Sequence, residues 1–110
     1  LVAVIDRNRQ LMTSFDEERV TLEPYTDKWA AFGWNVIHVD GHDMAALVEA
    51  IDSLPPTDSD KPTVIVAETV KGKGVDFMEH NLAWHAGSLG AADLERALAA
   101  LEATRTKENA

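Results

Sequence analysis

The chain has 110 residues, 45% of them hydrophobic and 26% charged, with a formal net charge of -9. That is one domain's worth of ordinary globular composition, and the acidic balance argues against nonspecific nucleic-acid binding, which needs a basic face to replace counterions. The absence of cysteine removes disulfides and thiolate metal sites and fits a reducing compartment, while no apolar run approaches the ~20 residues of a membrane span and no signal-peptide pattern opens the chain.

Leu1 to Asp6 is a short continuous apolar run that predicts a strand buried on both faces. A strand already under way at Leu1 needs neighbours, so the chain reads as a piece of something longer. Asp6-Arg7-Asn8-Arg9-Gln10 follows, and in open parallel sheets ligands sit just beyond the carboxyl ends of the strands. That places Asn8 where a site would be. Leu11 to Val20 shows no period and reads as loop. Leu22, Tyr25, Trp29 and Phe32 then share one face of a helix, with Pro24 in its first turn and Gly33 just past its end.

Trp34 to Asp40 predicts a second strand. Asp43 can cap a helix with an apolar face of Met44, Leu47, Val48, Ile51 and Leu54, which Pro55-Pro56 ends. Pro62 to Val70, rich in β-branched residues, predicts a third strand. Gly90 or Ser88 can cap a last helix with Leu94, Leu98 and Leu101 inward, and Thr104 to Ala110 reads as a polar, fraying tail. Strands alternating with helices imply parallel pairing with right-handed crossovers. Three strands are few for a sheet covered on both faces, which again points to upstream sequence.

The stretch from Val70 to His85 is long for a loop in a compact domain, a length that marks either function or disorder. Phe77, Met78, Leu82 and Trp84 argue for order. At its head Lys71 and Lys73 alternate with Gly72 and Gly74. Glycines admit close approach of an anion and lysine supplies a point charge for phosphate, although a solvated basic turn would look the same. At its foot stands His85, able to donate to phosphate or sugar oxygens and to shuttle protons. Asn8 offers a neutral oxygen to Mg2+, but an asparagine after a strand is more often a turn former. His38, inside a strand, reads as structural, His42 as serving the turn before the capped helix, and His80 has no distinguishing context. No histidine pair has metal-ligand spacing. The residues alone support an α/β fragment with an anion-binding loop.

Taken together, Val4-Ile5-Asp6-Arg7-Asn8-Arg9, Asp27 to Trp34, Val39-Asp40-Gly41-His42-Asp43, Lys61 to Ile65, Val70 to Val75 and Trp84-His85 resemble the transketolase family. The likeness, from about residue 1 to residue 104, is to the latter part of the N-terminal, diphosphate-binding domain. It implies a three-layer α/β/α fold with a parallel sheet, incomplete in residues 1–110, and a cytoplasmic enzyme of the pentose phosphate pathway. Such an enzyme moves a two-carbon ketol unit from a ketose phosphate to an aldose phosphate with thiamine diphosphate and Mg2+ or another divalent cation. By resemblance Asn8 is a metal ligand near the diphosphate, and the main-chain carbonyl of Gln10 completes the metal shell. Lys71 lies against the cofactor, and His85 touches the diphosphate and the sugar as the catalytic histidine. The family's usual Asp-Gly after the asparagine is replaced by Leu11-Met12-Thr13-Ser14-Phe15, and its Trp-His-Gly becomes Trp84-His85-Ala86-Gly87. Both departures point to a divergent or split-type member.

The resemblance also implies what residues 1–110 lack: a Gly-Asp-Gly upstream whose aspartate is the first metal ligand, and the cofactor-activating glutamate of the pyrimidine-binding domain or subunit. The expected parent is a homodimer or a split heteromer, and the isolated chain is expected to have no turnover. Two other readings stand beside this one. Deoxyxylulose phosphate synthase and dehydrogenase E1 subunits share the metal arrangement, and a non-catalytic α/β module would keep only an assembly surface.

Overall fold

A computed structural model of the chain describes residues 1–108, with side-chain surroundings through Thr106. Three parallel strands, β1 (Val2–Arg7), β2 (Asn35–Asp40) and β3 (Thr63–Glu68), form one sheet in the order β1-β3-β2. The third strand in sequence is therefore the centre, and its content explains why. Thr63, Val64, Ile65, Val66 and Ala67 are all buried, a β-branched run that packs well between two neighbours. Full burial of each valine or isoleucine contributes about 1.5–3 kcal/mol.

The edge strand departs from expectation. β1 alternates between exposed and half-buried residues as far as Asp6, with Val4 67% exposed, so one of its two faces is open, and among the described residues it pairs with β3 alone.

The chain divides into two compact units. The first holds residues 1–9 and 15–69, with the sheet and helices α1 (Asp16–Arg19), α2 (Tyr25–Ala31) and α3 (Met44–Asp52). α1 lies inside the segment expected to be loop. It forms because Asp16 at its start is drawn to Arg7 and the Phe15 amide donates to Glu18, 3.2 Å away. α2 and α3 both pack against β2. Pro24 caps α2 rather than joining its first turn, and Gly33 takes a φ of 87° just past its end. Trp29 meets Tyr25 and Trp34 edge-on, but Phe32 stays 84% exposed. Asp43 does cap α3, its Oδ1 accepting from the Ala46 amide at 3.0 Å. The expected apolar face is covered only in part: Leu47 and Leu54 are half-buried, Met44, Val48 and Ile51 are exposed, and Ala50 is buried.

The second unit holds residues 10–14 and 70–110, with a single 3₁₀ turn at Leu82–His85 and helix α4 (Ala91–Glu108). The Gly90 carbonyl accepts the first helical bond of α4, from Leu94 at 2.9 Å. Ala97 is its buried residue, while Leu94, Leu98 and Leu101 remain about half exposed, contrary to their expected inward face. The expected fraying tail is helical through Glu108, and its last residues lie outside the described ones.

Arg7, at the end of β1, is buried to 5% exposure beside Asp16, which is equally buried. Its guanidinium also reaches Glu17 at 3.4 Å and Glu23 at 3.3 Å, and lies over the Tyr25 ring 4.6 Å from the centroid. Removing one partner of a buried pair strands the other charge, at about 3–5 kcal/mol. Asp16→Ala is expected near the lower end of that range, because Glu17 and Glu23 remain. Glu17→Gln, at a part-exposed pair, should cost less than about 1 kcal/mol. Urea unfolding of both variants checks the contrast, and equal losses would refute it.

Candidate functional site

The three strands end in register. Arg7, Glu68 and Asp40 stand in one row across β1, β3 and β2, so the segments that follow emerge at the same edge of the sheet. Gly41 is needed there for close approach. Its amide donates to the Glu68 carbonyl at 2.7 Å, and a Cβ at this position would stand 2.5 Å from Thr69 Cγ2. The His42 amide donates to Asp40 Oδ1 at 2.9 Å, the turn role expected of that residue.

Asn8 is half-buried and is the first residue past β1. Both neighbours are fixed. Arg7 is held as described, and Arg9 sits in the left-handed region at φ 58°, with its carbonyl accepting from the Asp16 amide at 3.0 Å. The Arg9 side chain makes a two-pronged contact with Glu68 at 3.0 and 3.1 Å. Glu68 in turn meets His38 Nε2 at 3.2 Å, so the exposed His38 has a hydrogen-bond partner on the neighbouring strand. Burial pushes the Glu68 carboxyl up as the largest single influence, but hydrogen bonds from Arg9 and His38 and their charges outweigh it and hold the group below its ordinary range. Glu23 is also lowered, first by the Tyr25 amide donating at 2.9 Å and further by Arg7 and Arg9.

In the second unit the Val70–His85 stretch is ordered. It is a succession of turns, with amide-to-carbonyl bonds Lys73 to Val70, Val75 to Gly72, Met78 to Val75 and Asn81 to Met78, all between 2.9 and 3.2 Å. Val75 within it is buried. Gly72 is obligatory, since its φ is 76° and a Cβ would stand 2.5 Å from Met78 Cβ. The Gly74 amide donates to Glu79 Oε1 at 2.8 Å, and Lys73 Nζ lies 4.0 Å from the same carboxylate. Lys73 is thus partly neutralised within the loop. Asn81 closes the stretch: its Nδ2 donates to the Phe77 carbonyl at 3.0 Å, and its Oδ1 accepts from the Ala83 amide at 3.1 Å, capping the 3₁₀ turn. Phe77 packs on Trp84 at 5.4 Å and carries the Arg96 guanidinium on its ring at 4.4 Å.

These anchors bring Lys71 and His85 together, with Nζ 3.1 Å from Nδ1. Of the four expected site residues, Asn8 belongs to the first unit and Gln10, Lys71 and His85 to the second. Asn8 and Gln10 are separated by one residue, so the chain itself keeps them within ~7 Å. Among the described residues no three His, Cys, Asp or Glu side chains are grouped to hold a metal. An exposed pair of nitrogen donors carrying a lysine charge does suit a diphosphate. The ionic cluster of Arg7, Arg9, Asp16 and Glu68 escaped sequence reasoning. Its only signal was the acidic run Asp16-Glu17-Glu18 after two arginines, which does not say which charges meet.

A family profile described as "Transketolase, thiamine diphosphate binding domain" matches residues 1–107. The chain is similar to an apulose-4-phosphate transketolase subunit of Phocaeicola vulgatus, 40% identical over 89% of the chain and 34% of that protein. It is similar also to the 6-deoxy-6-sulfo-D-fructose transketolase subunit SqwG of a Clostridium species, 38% identical over 93% of the chain and 37% of that protein. Transketolase-like protein 2 of Bos taurus is 40% identical over 77% of the chain and 13% of its own length. The chain spans about a third of the two subunits it matches.

The lowered carboxyls give the first unit an acid dependence. Each contributes stability that is complete above the unfolded glutamate range, about pH 4.3, and is lost as the pH falls through the lower folded value. Arg9→Met is expected to flatten that loss. Urea midpoints taken between about pH 5 and pH 3 check it, and an unchanged slope would remove Arg9 from the account.

Proposed function

We propose, from the premise that this chain belongs to the transketolase family through its thiamine diphosphate binding domain, that it supplies the diphosphate- and metal-contacting part of a ketol-transfer site. Residues 1–110 would be the latter portion of that domain. The reaction is transfer of a two-carbon ketol unit from a ketose phosphate to an aldose phosphate. Thiamine diphosphate, when bound, supplies the nucleophilic carbon and the electron sink for that transfer. The observation that carries the reading is the convergence of Lys71 and His85 at the head and foot of one ordered loop.

Lys71 would place its positive charge against the diphosphate, and His85 would hydrogen-bond the diphosphate and the sugar. Asn8, through its side-chain oxygen, and Gln10, through its main-chain carbonyl, would offer neutral ligands to Mg2+. Mg2+ keeps few protein ligands when phosphate oxygens fill its shell, so two such groups suit a cation shared with the cofactor and with a carboxylate from outside this stretch. The glutamine side chain at position 10 is no obstacle to a carbonyl ligand.

Two relatives are named as transketolase subunits. Their similarity, with the replacement of the usual Asp-Gly by Leu11 to Phe15, supports a split-type enzyme in which a partner subunit brings the pyrimidine side of the site. The two names differ in the sugar acted on, apulose-4-phosphate in one and 6-deoxy-6-sulfo-D-fructose in the other. Substrate choice is therefore assigned here only to the class of phosphorylated or similarly anionic sugars.

Thiamine diphosphate titrated calorimetrically, with Mg2+, into the assembly containing this chain tests the proposal. Asn8→Ala is expected to weaken binding by at least the ~10–100-fold that losing a group behind the metal ligands costs. His85→Ala should lower kcat/KM by about 10²–10³-fold, the loss expected when one hydrogen-bond donor to the reacting groups is removed. Unchanged cofactor affinity in Asn8→Ala, together with unchanged turnover in His85→Ala, would leave a non-catalytic assembly module as the better reading.

A further inference from the structure

Lys71 and His85 do more than share a surface. A lysine ammonium has three donors and no acceptor, so its approach to within 3.1 Å of Nδ1 requires that this ring nitrogen carry the lone pair. The imidazole form that matches such a donor is the one whose single proton is on Nε2. We infer that Lys71 is a positioning residue, fixing His85 in the Nε2–H form so that the ring acts as a hydrogen-bond donor rather than as a base.

The surrounding loop makes this a defined orientation. The 3₁₀ turn that carries His85 is capped by Asn81 and flanked by the Phe77–Trp84 contact, with Arg96 across the outer face of Phe77. These contacts set where the His85 backbone stands. The Nδ1 contact then selects between the two ring flips that an exposed histidine would otherwise exchange. With Nδ1 occupied, the nitrogen left to a ligand is Nε2, and it is a donor. The ammonium of Lys71 directs one N–H to the ring and keeps two.

The consequence for recognition, which rests on the proposed function, is that this end of the site offers donors only. It would accept oxygen atoms that are pure acceptors, those of a diphosphate or a sugar carbonyl. It would not withdraw a proton from a sugar hydroxyl through Nε2. His85 thus binds and orients, and proton removal falls to another group.

Long-range 1H–15N correlation of the 15N-histidine-labelled, cofactor-free protein tests the tautomer directly, at about pH 8, above the ordinary histidine range. The signal is assigned by its disappearance in His85→Asn. The expected result is a single Nε2–H pattern in the wild type and the appearance of both tautomers in Lys71→Met, with the other histidine signals unmoved. A wild-type Nδ1–H pattern, a wild-type mixture, or a Lys71→Met spectrum unchanged at His85 would each overturn the inference. The wild-type measurement decides even where the variant does not fold. Because the reading uses no cofactor, its failure is separate from failure of thiamine diphosphate to bind.

Discussion

A guanidinium buried at the end of a strand is costly to keep, by several kcal/mol unless anions meet it, and Arg7 imposes that condition on everything that follows β1. The segment after the strand cannot wander, because Asp16 must reach the guanidinium, with Glu17 and Glu23 beside it and the Tyr25 ring beneath. The short helix Asp16–Arg19 and the start of α2 are where those groups are delivered. Asn8 sits between this arginine and a second one that grips Glu68 of the central strand. The asparagine is therefore flanked on both sides by arginines that ion pairs hold in place.

The other half of the chemistry depends on a different device. The Val70–His85 loop has almost no regular structure, yet its turns, one buried valine and two glycines at positive φ leave it little freedom. Order comes from backbone hydrogen bonds and aromatic packing, and it brings together two residues fourteen apart in sequence. Binding groups are commonly carried on loops whose conformation is fixed in this way.

Much of the frame was legible in the residues. Pro62 to Val70 announced a strand because it is rich in β-branched side chains, and Asp43 announced a helix start because its oxygen has an orphan amide to satisfy. The order of the loop followed from Phe77, Met78, Leu82 and Trp84. The misreadings share a cause. Periodicity says which residues could face a core and not whether anything covers them, so β1 and the leucine stripe of α4 were expected to be buried and are not. The ionic cluster around Arg7 was invisible because ion pairs have no period. As for the site, Asn8 and His85 rose above an ordinary turn and an ordinary exposed histidine only through the ordered set of short motifs, a resemblance that the match over residues 1–107 bears out at the level of the family. The pairing of Lys71 with His85 required coordinates.

The edge position of β1 has a bearing on how the molecule behaves in bulk solution. Among the described residues one side of the strand pairs with β3 and the other side has no strand, and Leu1, Val2 and Val4 beside that rim are exposed. Such a rim is a template on which copies can add strand to strand, and the first charge along it comes only at Asp6. What opposes self-addition is repulsion between chains of net charge -9. That opposition is colloidal and reaches only about a Debye length, ~10 Å at 0.1 M salt. Between copies of residues 1–110, ionic strength therefore sets how far that repulsion keeps such rims apart.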